Sequence, residues 1–196
     1  MRITAGTHRN RKLLVPKGKA VRPTPEAQRE RLFNMVQHLV EEAEVLDLYA
    51  GSGALSFEAL SRGATSATAI EKSRESIRCI RSNAETLSFS DQLTLHCGDV
   101  LTLLPKLARR NRQFNLIFAD PPFEEKRNEQ YLTQDTLETI DRLGLLAPGG
   151  ICFIEHATHL PLNEEPLQRL VRVSSRKTGD STIDRFEIRE ESSSNF

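Results

Sequence analysis

An aspartate, two prolines and a phenylalanine, Asp120-Pro121-Pro122-Phe123, follow directly on the apolar run FNLIFA. Residues of these types suit the activation of an exocyclic amine on a nucleobase. Such an amine is a poor nucleophile, because its lone pair is delocalised into the ring. Two hydrogen-bond acceptors, one for each N–H, push the nitrogen toward sp³ and free that pair. Asp120 offers a carboxylate and Pro121 a carbonyl, and the two proline rings restrict the backbone that aims them. Phe123 offers a face on which a base taken out of its strand could stack. Asp120 and Pro121 are therefore the candidate catalytic groups and Phe123 a candidate substrate contact, acting by orientation and polarisation during in-line transfer to the nitrogen.

A second motif, DLYAGSGAL at residues 47–55, places Gly51 and Gly53 in a strand-to-helix turn. Glycines there let the backbone approach a ligand in conformations that a Cβ hinders. The dinucleotide fingerprint GxGxxG is incomplete, since Ser56 stands at its third glycine. Asp47 beside the turn is a poor neighbour for a pyrophosphate and a good acceptor for an ammonium group. Glu71 ends the run SATAIE, where an acid can accept from ribose hydroxyls. Asp99, in CGDV, could accept from the exocyclic amine of adenine. Each acid alone reads equally well as a helix N-cap or a loop acid. As an ordered set, Asp47, Gly51, Gly53, Glu71 and Asp99 fit S-adenosylmethionine better than NAD.

The elements that must position these residues alternate along the chain. EVLDLY, SATAI, QLTLHC, FNLIFA and ICFIE read as strands, and FNLIFA, apolar throughout, as one buried on both faces. Between them run GSGALSFEALSRG, SRESIRCIRSNAETL, LTLLPKLARR (interrupted by Pro105) and a polar stretch near 128–142, all with helical character. Repeated βα units imply an α/β fold with a doubly wound parallel sheet and right-handed crossovers. Asp47, Glu71, Asp99 and Asp120 then fall at or just beyond strand C-termini, on the rim where such sheets bind ligands. Before this frame, MRITAGTHRNRKLLVP reads as a basic hairpin, followed by a Pro-punctuated loop and a helix from residue 26 whose Leu32, Phe33, Val36, Leu39 and Val40 share a face. RLVRVSSRK and TIDRFEIRE read as an antiparallel hairpin. The expected organisation is a hairpin extension over 1–25, a ligand-binding domain over 26–191 and a tail over 192–196.

Hydrophobic and charged fractions of 38% and 28% over 196 residues are those of a globular domain with a full core. The net charge is zero but uneven: residues 1–31 hold nine Lys/Arg against Glu26 and Glu30. A basic arm of this kind suits a polyanion. The three cysteines form no CxxC pair, so neither a disulfide framework nor a zinc site is expected and a reducing, cytoplasmic setting fits. The five histidines show no metal-binding spacing and are expected on surfaces or loops. No metal and no membrane span are expected.

The pair DLYAGSGALSFEALSRGA and FADPPF resembles class I S-adenosylmethionine-dependent methyltransferases of exocyclic amines. With MRITAGTHRNRKL, VRPTPEAQRERLFN, EALSRGA and the IEK of residues 70–72, the chain resembles, more narrowly, the RsmD-type 16S rRNA (guanine-N2)-methyltransferases. The resemblance implies a Rossmann-like seven-stranded sheet with its last strand antiparallel. It also implies methylation of a guanine of 16S rRNA within an assembling 30S subunit, by a monomer. It carries the cofactor role onto Asp47, Gly51, Gly53, Glu71 and Asp99, catalysis onto Asp120 and Pro121, base stacking onto Phe123, and substrate contact onto Arg22. Departures from the family pattern are Asn10 and Ser56 where glycine is common, no Asp near Glu26–Ala27, and a divergent GDSTIDRFEI. The competing readings are a DNA or other RNA adenine-N6 or cytosine-N4 methyltransferase, an NAD-dependent oxidoreductase, and a non-catalytic RNA-binding assembly factor.

Overall fold

A computed structural model describes residues 1–16, 25–109 and 112–190; the expected tail over 192–196 lies outside them. Strands β1 (Glu44–Leu48), β2 (Ser66–Glu71), β3 (Leu93–Cys97) and β4 (Phe114–Ala119) alternate with helices α3 (Ala54–Ser61), α4 (Arg74–Thr86) and α5 (Val100–Ala108). Helices α1 (Glu26–Met35) and α2 (Gln37–Val40) precede β1. After β4 come a two-stranded ribbon, β5 (Lys126–Arg127) and β6 (Gln130–Tyr131), then α6 (Leu132–Leu143), β7 (Leu146–Ala157), β8 (Leu170–Thr178) and β9 (Ser181–Ile188). Seven strands form one sheet in the order β3-β2-β1-β4-β7-β9-β8. Pairing is parallel from β3 across to β7, and β9 runs antiparallel to both its neighbours. The expected seven-stranded sheet with an antiparallel last strand is thus observed.

The order explains where a ligand can sit. The chain winds outward from β1 to β3, then crosses back to lay β4 on the other side of β1, so the crossovers part above the C-terminal ends of β1 and β4. Asp47 lies near the end of β1 and Asp120 just past β4. Both faces of the parallel part of the sheet are covered. On one face Phe33, Phe57, Phe118 and Phe153 are buried with residues of α1 to α4, and the Phe118 and Phe153 rings stack at 5.8 Å. On the other, Leu104, Leu137, Ile140, Phe114 and Phe186 join α5 and α6 to the sheet. Each such side chain contributes about 1.5–3 kcal/mol on burial, which is what holds the rim in place.

The N-terminal residues form a turn closed by one bridge, Arg2 to Lys12, rather than two full strands. Asn10 takes a left-handed backbone there at φ 68°. The segment is fixed by its own side chains, because Ile3 and Leu13 are buried in the same cluster as Phe33 and Phe57. Gly6 lies so close to α3 that a Cβ would fall 1.8 Å from the Ser61 carbonyl oxygen.

Other elements differ from expectation. The helix from residue 26 breaks at Val36, a β-branched residue at φ −118° whose N–H turns back to the Phe33 carbonyl. Pro105 does not interrupt α5; it forfeits only the bond to the first turn, and Arg109 N–H still reaches the Pro105 carbonyl. The helix expected near 128 begins at Leu132, since Asn128 and Glu129 have positive φ and turn β5 into β6. His156 is neither on the surface nor in a loop: it is buried on β7, with Nε2 at 3.2 Å from Asp184 Oδ2 on β9. Ala147-Pro148-Gly149-Gly150, whose composition suggests a turn, instead lies inside β7 as a bulge, where the register to β4 jumps between Phe114 and Leu116.

Candidate active site

The turn between β1 and α3 passes through left-handed backbone at Tyr49, Gly51 and Gly53. At Gly53 a Cβ would also meet the Phe57 ring at 2.8 Å, so glycine is needed twice over. Gly53 caps α3 but has no side chain to do so. Asp47 supplies the missing cap from the strand: its Oδ2 accepts from Ser56 N–H at 3.1 Å and from Ser56 Oγ at 2.6 Å. Ser56 therefore sets the aim of Asp47, a role its sequence position did not disclose. Burial, opposed by these two bonds, pushes the Asp47 carboxyl up to about 6.

Glu71 closes the turn from the neighbouring strand. Its Oε2 accepts from Gly51 N–H at 2.8 Å and its Oε1 from Ser73 N–H at 2.7 Å, just where Ser73 caps α4. Asp99 stands further out. It is the N-cap of α5, accepting from Thr102 N–H and Oγ1, and lies 3.5 Å from Arg127 of the ribbon. Lys72 and Glu125 make a second exposed bridge at 3.1 Å between the end of β2 and the loop after β4. The two pairs tie the 120–131 loop to the rim over β2 and β3.

Asp120 N–H bonds weakly to the Leu48 carbonyl at 3.4 Å, which fixes the chain as it leaves β4. Its carboxyl has no hydrogen-bond partner among the described residues, and burial, then the charges of Glu155 and Asp47, push it up to about 7. The Pro121 carbonyl likewise accepts nothing among the described residues. Pro121 is buried and Pro122 exposed. A turn from Pro122 to Glu125, closed at 3.3 Å, presents a half-buried Phe123 at the mouth. Behind Asp120 lies a small recess floored by Leu32, Leu55, Phe118 and Phe153 and edged by Glu155.

Asp47, Glu71 and Asp120 are thus brought close enough for their charges to couple, with Gly51 and Gly53 between. Asp99 and Phe123 stand at the periphery of this group, and Arg22 lies outside the described residues. Glu155 went unnoticed in the sequence, although ICFIE ends in an acid just as SATAIE does. Gln28 of α1 donates to Glu155 Oε2 at 3.1 Å and so joins the helix to the rim. No group of metal-binding residues occurs among the described residues, and none of their helices is long and apolar enough to cross a membrane.

Comparison with known proteins gives this geometry a context. The family model "Conserved hypothetical protein 95" matches residues 1–187. Ribosomal RNA small subunit methyltransferase D of Escherichia coli (strain K12) is 35% identical over 155 residues, spanning 79% of this chain and 74% of the relative. A solved Escherichia coli chain superposes with a TM-score of 0.81 at 29% identity, covering 97% of this chain and 99% of its own. A SAM-dependent methyltransferase from Agrobacterium tumefaciens, 18% identical, shares the fold at a TM-score of 0.63 over 82% of this chain and 61% of its own.

Proposed function

Since the chain belongs to the conserved hypothetical protein 95 family, we propose that it transfers a methyl group from S-adenosylmethionine to the exocyclic N2 of a guanine in 16S rRNA. One observation carries the chemistry: a carboxylate and a proline carbonyl, both without partners among the described residues, stand together where β1 and β4 part. The relative named as a small-subunit rRNA methyltransferase supports rRNA as the substrate.

The donor set suits the cofactor. Asp47, aimed by Ser56, is an anion for the ammonium group; Gly51 and Gly53 leave room for close approach; Glu71 and Asp99 offer carboxylate oxygens for ribose hydroxyls and the adenine amine. When bound, S-adenosylmethionine supplies an electrophilic methyl group on a sulfonium. The chain's own part concerns the guanine. The Asp120 carboxylate accepts one N2–H and the Pro121 carbonyl the other, drawing the nitrogen toward tetrahedral geometry and freeing its lone pair. Phe123 stacks on the flipped base and holds it in line. With its carboxyl near 7, Asp120 also takes the proton that the nitrogen sheds after attack. Arg22 contributes to gripping the RNA, the substrate particle is an assembling 30S subunit, and the enzyme acts as a monomer.

The test is methylation of small-subunit rRNA from cells lacking the protein, with radiolabelled cofactor and mapping of the modified guanine. Asp120→Ala should lower turnover by about 10²–10³-fold while keeping cofactor affinity within severalfold. Equal activity in the variant would remove Asp120 from the chemistry, and modification at an adenine or cytosine would overturn the guanine assignment.

A further inference from the structure

Beyond α1, none of the described residues covers the sheet face that carries this helix over β9 and β8. Helix α1 and the β8–β9 hairpin there border an open cavity of about 340 Å³. The register explains its composition. Phe153 of β7 pairs with Arg185 of β9, and Ser174 and Arg176 of β8 pair with Arg185 and Ile183, so these residues share one face. Leu32, Phe153 and Ile183 line both this cavity and the recess at Asp120, making the two one continuous surface.

The cavity is rimmed by Arg31 from α1, Arg176 and Lys177 from β8, and Arg185 from β9, and no acid among the described residues lines it. Arg185 pairs with Glu187. Arg31, Arg176 and Lys177 form no ion pair among the described residues. Like charges gathered around a concave, partly apolar surface repel one another until an anion arrives. The N-terminal arm contrasts with this. Its Ile3 and Leu13 are buried, and Arg2 is bound to Glu26 at 3.0 Å.

Resting on the function proposed above, we infer that the groove between α1 and the β8–β9 hairpin seats the phosphates of the single strand flanking the target guanine. A polyanion fits a groove whose cations come from both the helix and the hairpin. The continuity with Asp120 requires that the occupant also deliver an amine to that carboxylate, which a nucleic-acid strand with one flipped base does. The apolar floor of Phe153 and Ile183 suits sugars and base faces between the charges. The divergent C-terminal segment thereby acquires a function in holding the substrate.

The test uses a fluorescent single-stranded RNA of about ten nucleotides with one guanine, titrated over a range of salt. The variant Arg31→Ala/Arg176→Ala/Lys177→Ala should bind at least tenfold more weakly. Its slope of log affinity against log salt should shrink by about 2, or about 0.7 for each phosphate no longer neutralised. Its thermal stabilisation by S-adenosylhomocysteine should be unchanged. Lys106→Ala/Arg109→Ala/Arg142→Ala, which removes equal charge from the opposite side of the sheet, should keep the wild-type slope. A groove variant indistinguishable from that control, in a protein that methylates rRNA normally, would overturn this inference and leave the methyltransferase reading standing. A wild-type protein that neither binds nor methylates RNA would overturn both. Weakened binding of poly-glutamate with an unchanged RNA slope would overturn it in favour of an acidic protein partner.

Discussion

Glu58 and Asp120 lie in the same domain, yet their surroundings are opposite. Glu58, on α3, is fully buried and accepts hydrogen bonds from Thr4 N–H, Thr4 Oγ1, Ala5 N–H, Arg29 and Arg62. Burial alone would raise its pKa; the bonds from Thr4 and Arg62 outweigh that and hold it below the ordinary carboxylate value. Asp120 has no such partners among the described residues and is raised to about 7. The saturated acid serves the fold, because its charge is fully matched and nothing remains for a ligand. The unmatched acid costs stability and leaves its acceptor oxygens without a partner among the described residues, as the proposed reaction requires.

The largest expected effect breaks the saturated site. Glu58→Ala removes the carboxylate paired with buried Arg29 and should destabilise the protein by about 3–5 kcal/mol in chemical denaturation. A loss below about 1 kcal/mol would mean that the network is no anchor. Because the Glu58 pKa is depressed, its contribution is present above the unfolded value and lost as pH falls through the folded one.

Asp120→Asn should act in the other direction on stability, by up to about 4 kcal/mol at pH 8. The sign follows from the raised pKa. Below the unfolded value both states hold the proton and Asp120 costs nothing; as pH climbs toward 7 the unfolded state ionises first and the folded state loses ground. The stabilisation by Asn should therefore vanish near pH 4, while wild-type activity rises through about pH 7 as the carboxylate forms. A variant no more stable at pH 8 than at pH 4 would show that Asp120 is well solvated in the folded state.

Asp47 lies between the two extremes, and the smallest effect sharpens the comparison there. Ser56→Ala removes the 2.6 Å bond to Asp47 and should cost about 1 kcal/mol. It should also raise the Asp47 pKa above its present value near 6, so that cofactor affinity at pH 6.0 falls more than at pH 8. Equal losses at both values would assign Ser56 to packing alone.

Much of the rim was legible because a parallel strand followed by a helix puts its last residue at the ligand end, whatever lies elsewhere. Asp47, Glu71, Asp99 and Asp120 could be placed on that logic alone. What a strand-end acid bonds to was not legible, since Ser56, Gly51, Ser73 and Thr102 meet these carboxylates through tertiary geometry. The Glu58 network was hidden for a related reason: in EALSRG the acid looks like any exposed helical residue, and its partners Thr4 and Arg29 are far away in sequence. Helix boundaries failed where backbone conformation, rather than apolar spacing, decided, as at Val36 and at the Asn128–Glu129 turn.

The anchoring of the N-terminal turn also has a consequence in time. Thr4 and its partner Glu58 are separated by 54 residues, and Gly6 is pressed against Ser61 at the end of α3. Residues 4–6 therefore have no docking surface until the first strand and the helix after it have been made. Contacts of such long range close late in folding. A segment made well before its docking surface is thus among the last to settle, and until it does Arg29 and Glu58 lack the backbone groups of residues 2–5 that they bond in the folded protein.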